Sequence, residues 1–258
     1  MKKYIFMLTL CVFVFSSCRT TSSGVAASPQ DAGGFWDTAP VSGELIFHGA
    51  AGVRFDRDAS IRLALEDAAR KAAMFTQVGG RIVFYGKTGV NFWDYQVDTE
   101  NSLFIDQDYE KYIEHFTFDS ERDVLQEYNT IFVRVRYPSP VPVNIPRLQS
   151  SHGGARPGWI GEPPRIPGYV TGIGYAGRRI SYGDTVKDSY ENAVFSIIRN
   201  ISSTVTGNTA DVQGSGGPAS NESRIAAGAM LKEFYVLDFW VDPVNQTVWT
   251  LAIAKPDT

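Results

Sequence analysis

The segment Gly172-Ile173-Gly174-Tyr175-Ala176-Gly177 fits the Gly-x-Gly-x-x-Gly spacing and follows a strand-like run from Tyr169. In a dinucleotide site that spacing makes a tight turn that delivers the pyrophosphate to amides at a helix N-terminus. Here Arg178 to Gly183 intervene before the next helical pattern, and Glu191, near the distance of a ribose-binding acid, falls inside that helix. The expectation is therefore that these glycines let a helix pack closely over a strand. His48, His115 and His152 are scattered, with no two at ligand spacing on one helix, and each reads as a structural histidine. Ser215, in Gly214-Ser215-Gly216-Gly217-Pro218, lacks the first glycine of a nucleophile elbow and reads as part of a loop. The acidic-aromatic stretch from Trp93 to Phe118 offers either a carbohydrate or partner surface, or aromatics folded onto a sheet, and the second is favoured. No catalytic, cofactor-binding or metal-binding residue is expected.

Thiol chemistry is more specific. Met1-Lys2-Lys3 precedes an uncharged run from Tyr4 to Phe15, the layout of a secretory signal too short to span a bilayer comfortably. Phe15-Ser16-Ser17-Cys18 follows, and two small residues before a cysteine resemble the lipobox of bacterial lipoproteins. That resemblance implies diacylglycerol on the Cys18 thiol and cleavage before it, with residues 1–17 as signal peptide. Phe15 stands where a leucine-like residue is usual. A cleavage after Ala27 lies too far from Phe15 for an ordinary signal. Cys11 leaves with the signal, so Cys18 has no disulfide partner, and lipid attachment accounts for it economically. Loss of Lys2 and Lys3 takes the formal charge from −4 to −6, which disfavours both nucleic acid and electrostatic adhesion to anionic lipid. The expected membrane attachment is thus the acyl anchor itself. Residues 18–43 are rich in Ser, Thr, Ala, Gly and Pro and read as a lipidated tether with a reach of roughly 25–30 Å. Phe35 and Trp36 either dock on the first domain or lie at the lipid surface.

The elements that follow are written twice. Eight of the 13 prolines fall between Pro138 and Pro167, which marks 139–167 as a stiff linker between a first module at 44–138 and a second at 168–258. A shift of 125 residues sets Gly49, Ala51, Gly52, Glu66 and Ala68 on Gly174, Ala176, Gly177, Glu191 and Ala193. A period this long indicates paired domains and not a solenoid. Val186, Tyr190, Ala193, Val194, Ile197, Ile198, Ile201 and Val205 recur at helical steps behind an Asp184 cap. In the first half Ile61, Leu65, Ala68, Ala72 and Phe75 form a narrower stripe, with Asp58 as cap. Each half ends in a hairpin: Phe116–Arg122 with Thr130–Tyr137, and Phe234–Val241 with Thr247–Ala254. Arg81–Lys111 and Gly207–Asn221 read as insertions without an assigned place. The expected class is α+β, each module strand-helix-strand-strand with an antiparallel sheet on one long helix.

Pro157-Gly-Trp159-Ile160, then Tyr169-Val-Thr-Gly172-Ile-Gly174-Tyr-Ala176, the amphipathic helix and the closing hairpin together resemble the LPP-twenty family of bacterial envelope lipoproteins. The resemblance covers about 157–255 well and 44–137 loosely, since the first half lacks the tryptophan and an equivalent of Gly172. It implies dodecin-like β-α-β-β modules and an outer-membrane lipoprotein, in some members associated with the flagellar motor. It carries over no catalytic residues. The expected function is a non-enzymatic, lipid-anchored cell-envelope protein mediating assembly or contacts with other envelope proteins, with self-association among them. The alternative is an envelope lipoprotein that binds a small ligand between its modules. The two halves are expected to dock, with strands 130–137 and 247–254 near the junction.

Overall fold

The computed structural model describes residues 34–41, 43–88, 95–205 and 221–257. The signal segment, Cys18, the tether before Gly34, Trp93 and Ser215 lie outside the described residues. Among these residues the chain is α+β, with a sheet of three strands and a sheet of five, both antiparallel.

In the first half β1 (Glu44–Gly52) leads into α1 (Arg57–Thr76). Leu45, Phe47 and Ala51 share one face of β1, and with Ile131, Val133 and Val135 of β5 (Thr130–Pro138) they bury the Ala-rich stripe of α1. Alanine is what permits this approach, because the helix backbone comes down onto Gly49. The hairpin partner of β5 is β4 (Val124–Glu127), turning at Tyr128 and Asn129, both with positive φ. This corrects the expected strand at Phe116–Arg122, of which only Thr117 bridges to Arg136. The α1 cap is Asp56, whose carboxylate accepts the Asp58 amide, and Asp58 belongs to the first turn. β5 lies centrally, in the order β1-β5-β4.

In the second half β6 (Val170–Ala176) leads into α2 (Tyr182–Val205), then β7 (Asn221–Val241) and β8 (Val248–Pro256). The expected stripe of α2 is buried from Val186 to Ile198 over Ala252 and Ala254. Asp184 lies in the first turn instead of capping it; the carbonyl of Ser181 accepts the Thr185 amide. The three strands run β7-β8-β6, with β8 in the middle.

The segment left without a place from sequence forms β2 (Val78–Thr88) and β3 (Tyr95–Ile105). This hairpin belongs to the first half in sequence but joins the sheet of the second, giving the order β3-β2-β7-β8-β6. β7 serves both neighbours in turn: residues 221–231 pair with β2 and 231–241 with β8. Register shifts after Lys232 and Val236, with Glu233 in the left-handed region at φ 53°, bend the strand where its partner changes. The addition corrects the expectation of one helix and one short sheet per half.

The two halves share one core. Ile131, Val133 and Val135 of β5 lie in the same cluster as Tyr235, Leu237, Leu251 and Ile253 of β7 and β8, on the face opposite α2. Strands 130–137 and 247–254 thus contribute side chains to one core, together with α1. The Pro-rich segment lies along this core, with Ile166 buried and Leu148 and Trp159 packed against it.

Candidate functional site

Three polar constructions occupy the junction. The first is a seam between α1 and α2. Asp67 accepts from the backbone amide of Ala50 at 2.9 Å, the Tyr190 hydroxyl at 2.7 Å and the Lys71 ammonium at 2.5 Å. Lys71 also lies over the Tyr190 ring, 4.2 Å from its centroid. Arg70 and Glu191 make a second cross-helix ion pair at 2.7 Å. Burial lowers the Lys71 pKa against the pull of Asp67, and raises the Tyr190 phenol well above its usual value. A lysine buried at this depth persists because a carboxylate faces it.

The second is an aromatic box around Phe35 and Trp36. Trp36 is buried, edge-on to Phe132 and Phe239, and tilted over His152 with ring centroids 4.1 Å apart. Of the two placements open for these residues, the structure has them docked on protein. His48 packs 5.4 Å from the Trp36 ring, and its Nε2 donates to the Phe35 carbonyl at 2.6 Å. The structure therefore brings together two histidines that look unrelated in sequence, and gives each a structural partner. His152 Nε2 lies 2.8 Å from the Glu127 carboxylate, while His115 is exposed at the end of a short helical turn.

The third construction pins the linker. Asp238 on β7 accepts from the Ser151 amide at 3.1 Å and from Trp159 Nε1 at 3.0 Å, and Trp240 Nε1 donates to the Gly154 carbonyl. Nearby, the Tyr235 hydroxyl accepts the Ile46 amide on the free edge of β1. It lies 2.6 Å from the Thr38 carbonyl and 2.8 Å from that of Ile46, so its single proton goes to one of them.

These groups are arranged to hold parts of the chain together. The space enclosed among His48, Lys71, Tyr190 and Phe239 is about 30 Å³, the volume of a water molecule. Gly172 and Gly174 face the α2 backbone directly, so the helix fills the face where a pyrophosphate would lie. Gly177 meets nothing within 4 Å. In the acidic-aromatic stretch Tyr112 is buried and Tyr109 and Phe116 pack on the first core, in agreement with the favoured packing reading.

Sequence reasoning missed the seam. Its signal is an Asp67/Lys71 pair, four residues apart, set among alanines that all point to a core.

His48 supplies a pH test. Burial holds it down to a pKa of about 4 against an ordinary 6.5. Between those values the unfolded chain binds the extra proton, so the contribution to stability is whole above about pH 6.5 and lost progressively down to about pH 4. The loss is at most about 3 kcal/mol. Chemical unfolding followed across that window should show the decline, and His48→Gln should flatten it; an unchanged slope would place the titration elsewhere.

No family model, curated protein or solved structure matches this chain.

Proposed function

We propose that the chain is a lipid-anchored, non-enzymatic protein of the bacterial cell envelope that works through assembly and protein contacts at the outer membrane. Its halves are proposed to be one duplicated dodecin-like β-α-β-β module. Supporting the duplication, β1-β5-β4 under α1 and β6-β8-β7 under α2 have the same connectivity and order. The offset of 125 residues also relates contacts: Asp67 reaches the Ala50 amide, and Asn192 donates to the Tyr175 carbonyl.

The observation that carries the assembly reading is the sheet formed by β3, β2 and the first half of β7. Among the described residues β3 is the edge strand of the sheet, and β8 ends opposite Leu231. Phe104 and Met230 are exposed beside a shallow cleft of about 420 Å³ lined by Gly80, Ala226, Gly228 and Ala229. Small residues and open strand edges suit pairing with another sheet. For the ligand-binding alternative the space among His48, Lys71, Tyr190 and Phe239 is sized only for water, which leaves it the open clefts of about 410 Å³ beside Asp67 and Lys187 and about 580 Å³ beside Tyr128 and Arg178.

Two measurements test this reading. Intact mass of the native protein should show acyl chains on Cys18, and Cys18→Ser should leave uncleaved or unanchored material; an unacylated N-terminus at Ser28 would remove the anchor. Light scattering should find multimers that Phe104→Arg combined with Met230→Arg reduces to monomer. A monomeric parent across the accessible concentration range would remove self-assembly.

A further inference from the structure

The four connections at one end of the molecule converge. Val53, after β1, donates to the Asn129 carbonyl in the β4–β5 turn at 3.1 Å, and the Tyr128 ring lies 5.0 Å from that of Tyr182 at the start of α2. A cleft of about 580 Å³ joins Val53, Tyr128, Arg178 and Ile180 to the β7–β8 turn at Asp242 and Pro243. From this end project Phe55 and Ile180, each 110 % exposed, and Val244 at 85 %. Phe55 and Ile180 stand 125 residues apart, and each follows an arginine, Arg54 and Arg179. These are separate protruding tips, with arginines set behind them.

We propose that this end of the molecule is a membrane-docking surface, with Phe55 and Ile180 inserting among the lipids of an anionic bilayer and Arg54 and Arg178 meeting its phosphates. Isolated apolar side chains on convex loop tips bury little against a rigid protein surface, whereas a fluid bilayer closes around them. Charge alone does not select this occupant. Asp56, Asp184 and Asp242 share the end, Arg179 is paired with Asp188 at 2.6 Å, and Glu127 is paired with His152. Insertion of the tips is the larger contribution, and the arginines orient it.

The course of the chain allows this placement. Arg134, opposite His48 in the sheet, donates to the Gly34 carbonyl; Thr38 lies by Tyr235, which also holds Ile46; Val41 bridges to Glu44. The described chain therefore starts at the level of His48 and runs away from the loops. Only residues 19–33 separate Gly34 from Cys18, a contour of about 50 Å at full extension. The inference rests on the anchored reading: an acylated Cys18 holds the protein near a bilayer, and a tether of that length, joining midway along β1, lets the loop end face it.

A chain starting at Arg19 lacks the anchor and keeps every residue of both sheets and both helices. This unanchored chain should co-sediment with vesicles of phosphatidylglycerol and phosphatidylethanolamine, and more weakly with phosphatidylcholine. Phe55→Ser with Ile180→Ser should weaken that partition about tenfold or more without changing the unfolding midpoint, since both side chains are in solvent. Arg54→Gln with Arg178→Gln should weaken binding to the anionic vesicles alone. Phe104→Ser, on the other sheet, should leave binding intact. Binding that is absent in the parent, or unchanged in the Phe55/Ile180 variant, overturns the proposal. A multimer of the parent that the same variant dissolves would also overturn it, by making the loops a contact between copies. Acyl analysis of native Cys18 is a separate measurement, so failure of the anchor and failure of the loops are told apart.

Discussion

Gly174→Ala and Gly49→Ala should each lower the unfolding free energy by roughly 3–5 kcal/mol, far more than a glycine-to-alanine change on a strand usually costs. A Cβ built on Gly174 falls 1.8 Å from the Ser189 carbonyl oxygen, and one on Gly49 falls 1.8 Å from that of Ala64. Both obstacles are helix backbone, which no rotamer change can move. Relief requires lifting α2 or α1 off its strand, which opens the contacts of Ala193 or Ala68 with the sheet below. Gly172→Ala should be nearly as costly, because its Cβ meets Ala193 O at 2.6 Å and Ile197 Cγ1 at 2.5 Å. Gly177→Ala should lie within about 0.5 kcal/mol of the parent, having nothing within 4 Å. Urea unfolding followed by circular dichroism measures the series. A nucleotide-binding turn would rank the glycines differently, since all three would serve a turn or a phosphate; equal costs at Gly174 and Gly177 would count against close packing.

The legible parts of this fold are those whose partner is nearby in the chain. The α2 stripe could be read because most of its apolar residues meet strands of its own half, β6 just before it and β7 and β8 after it. The glycines could be read because the same spacing precedes both helices. Caps were harder: Asp56 and Asp58 are alike and two residues apart, and only the geometry of the turn chooses Asp56. The β2–β3 hairpin was illegible for a physical reason. Val78-Gly79-Gly80-Arg81-Ile82-Val83 lacks a clean two-residue alternation, and its other neighbour is β7, about 150 residues away in sequence. The seam was hidden differently. Asp67 and Lys71 look like a solvated pair at helical spacing, and they are buried only because α2 of the other half covers them.

Asp67→Ala should destabilise the protein by about 3–5 kcal/mol, because it strands a cation inside the junction. The Lys71 ammonium loses the carboxylate it is paired with, and the Ala50 amide and Tyr190 hydroxyl lose the acceptor they share. Lys71→Met should cost less. It keeps the aliphatic stem over the Tyr190 ring and leaves Asp67 with its two hydrogen-bond donors. The double variant Asp67→Ala/Lys71→Met should be more stable than Asp67→Ala alone, since removing the stranded charge recovers more than the lost packing. The sign of the pH response is a further check. Burial already sets the Lys71 pKa below its unfolded value, so the unfolded chain binds more protons between the two values and stability rises with pH there. Without Asp67 the folded value drops further and that window widens. Relative to the parent, Asp67→Ala should therefore regain stability as the pH rises toward the ordinary lysine value. A deficit that stays constant across that range, or a double variant as damaged as the single, would show that Lys71 reaches water in the folded protein and that the seam is not what locks the two helices together.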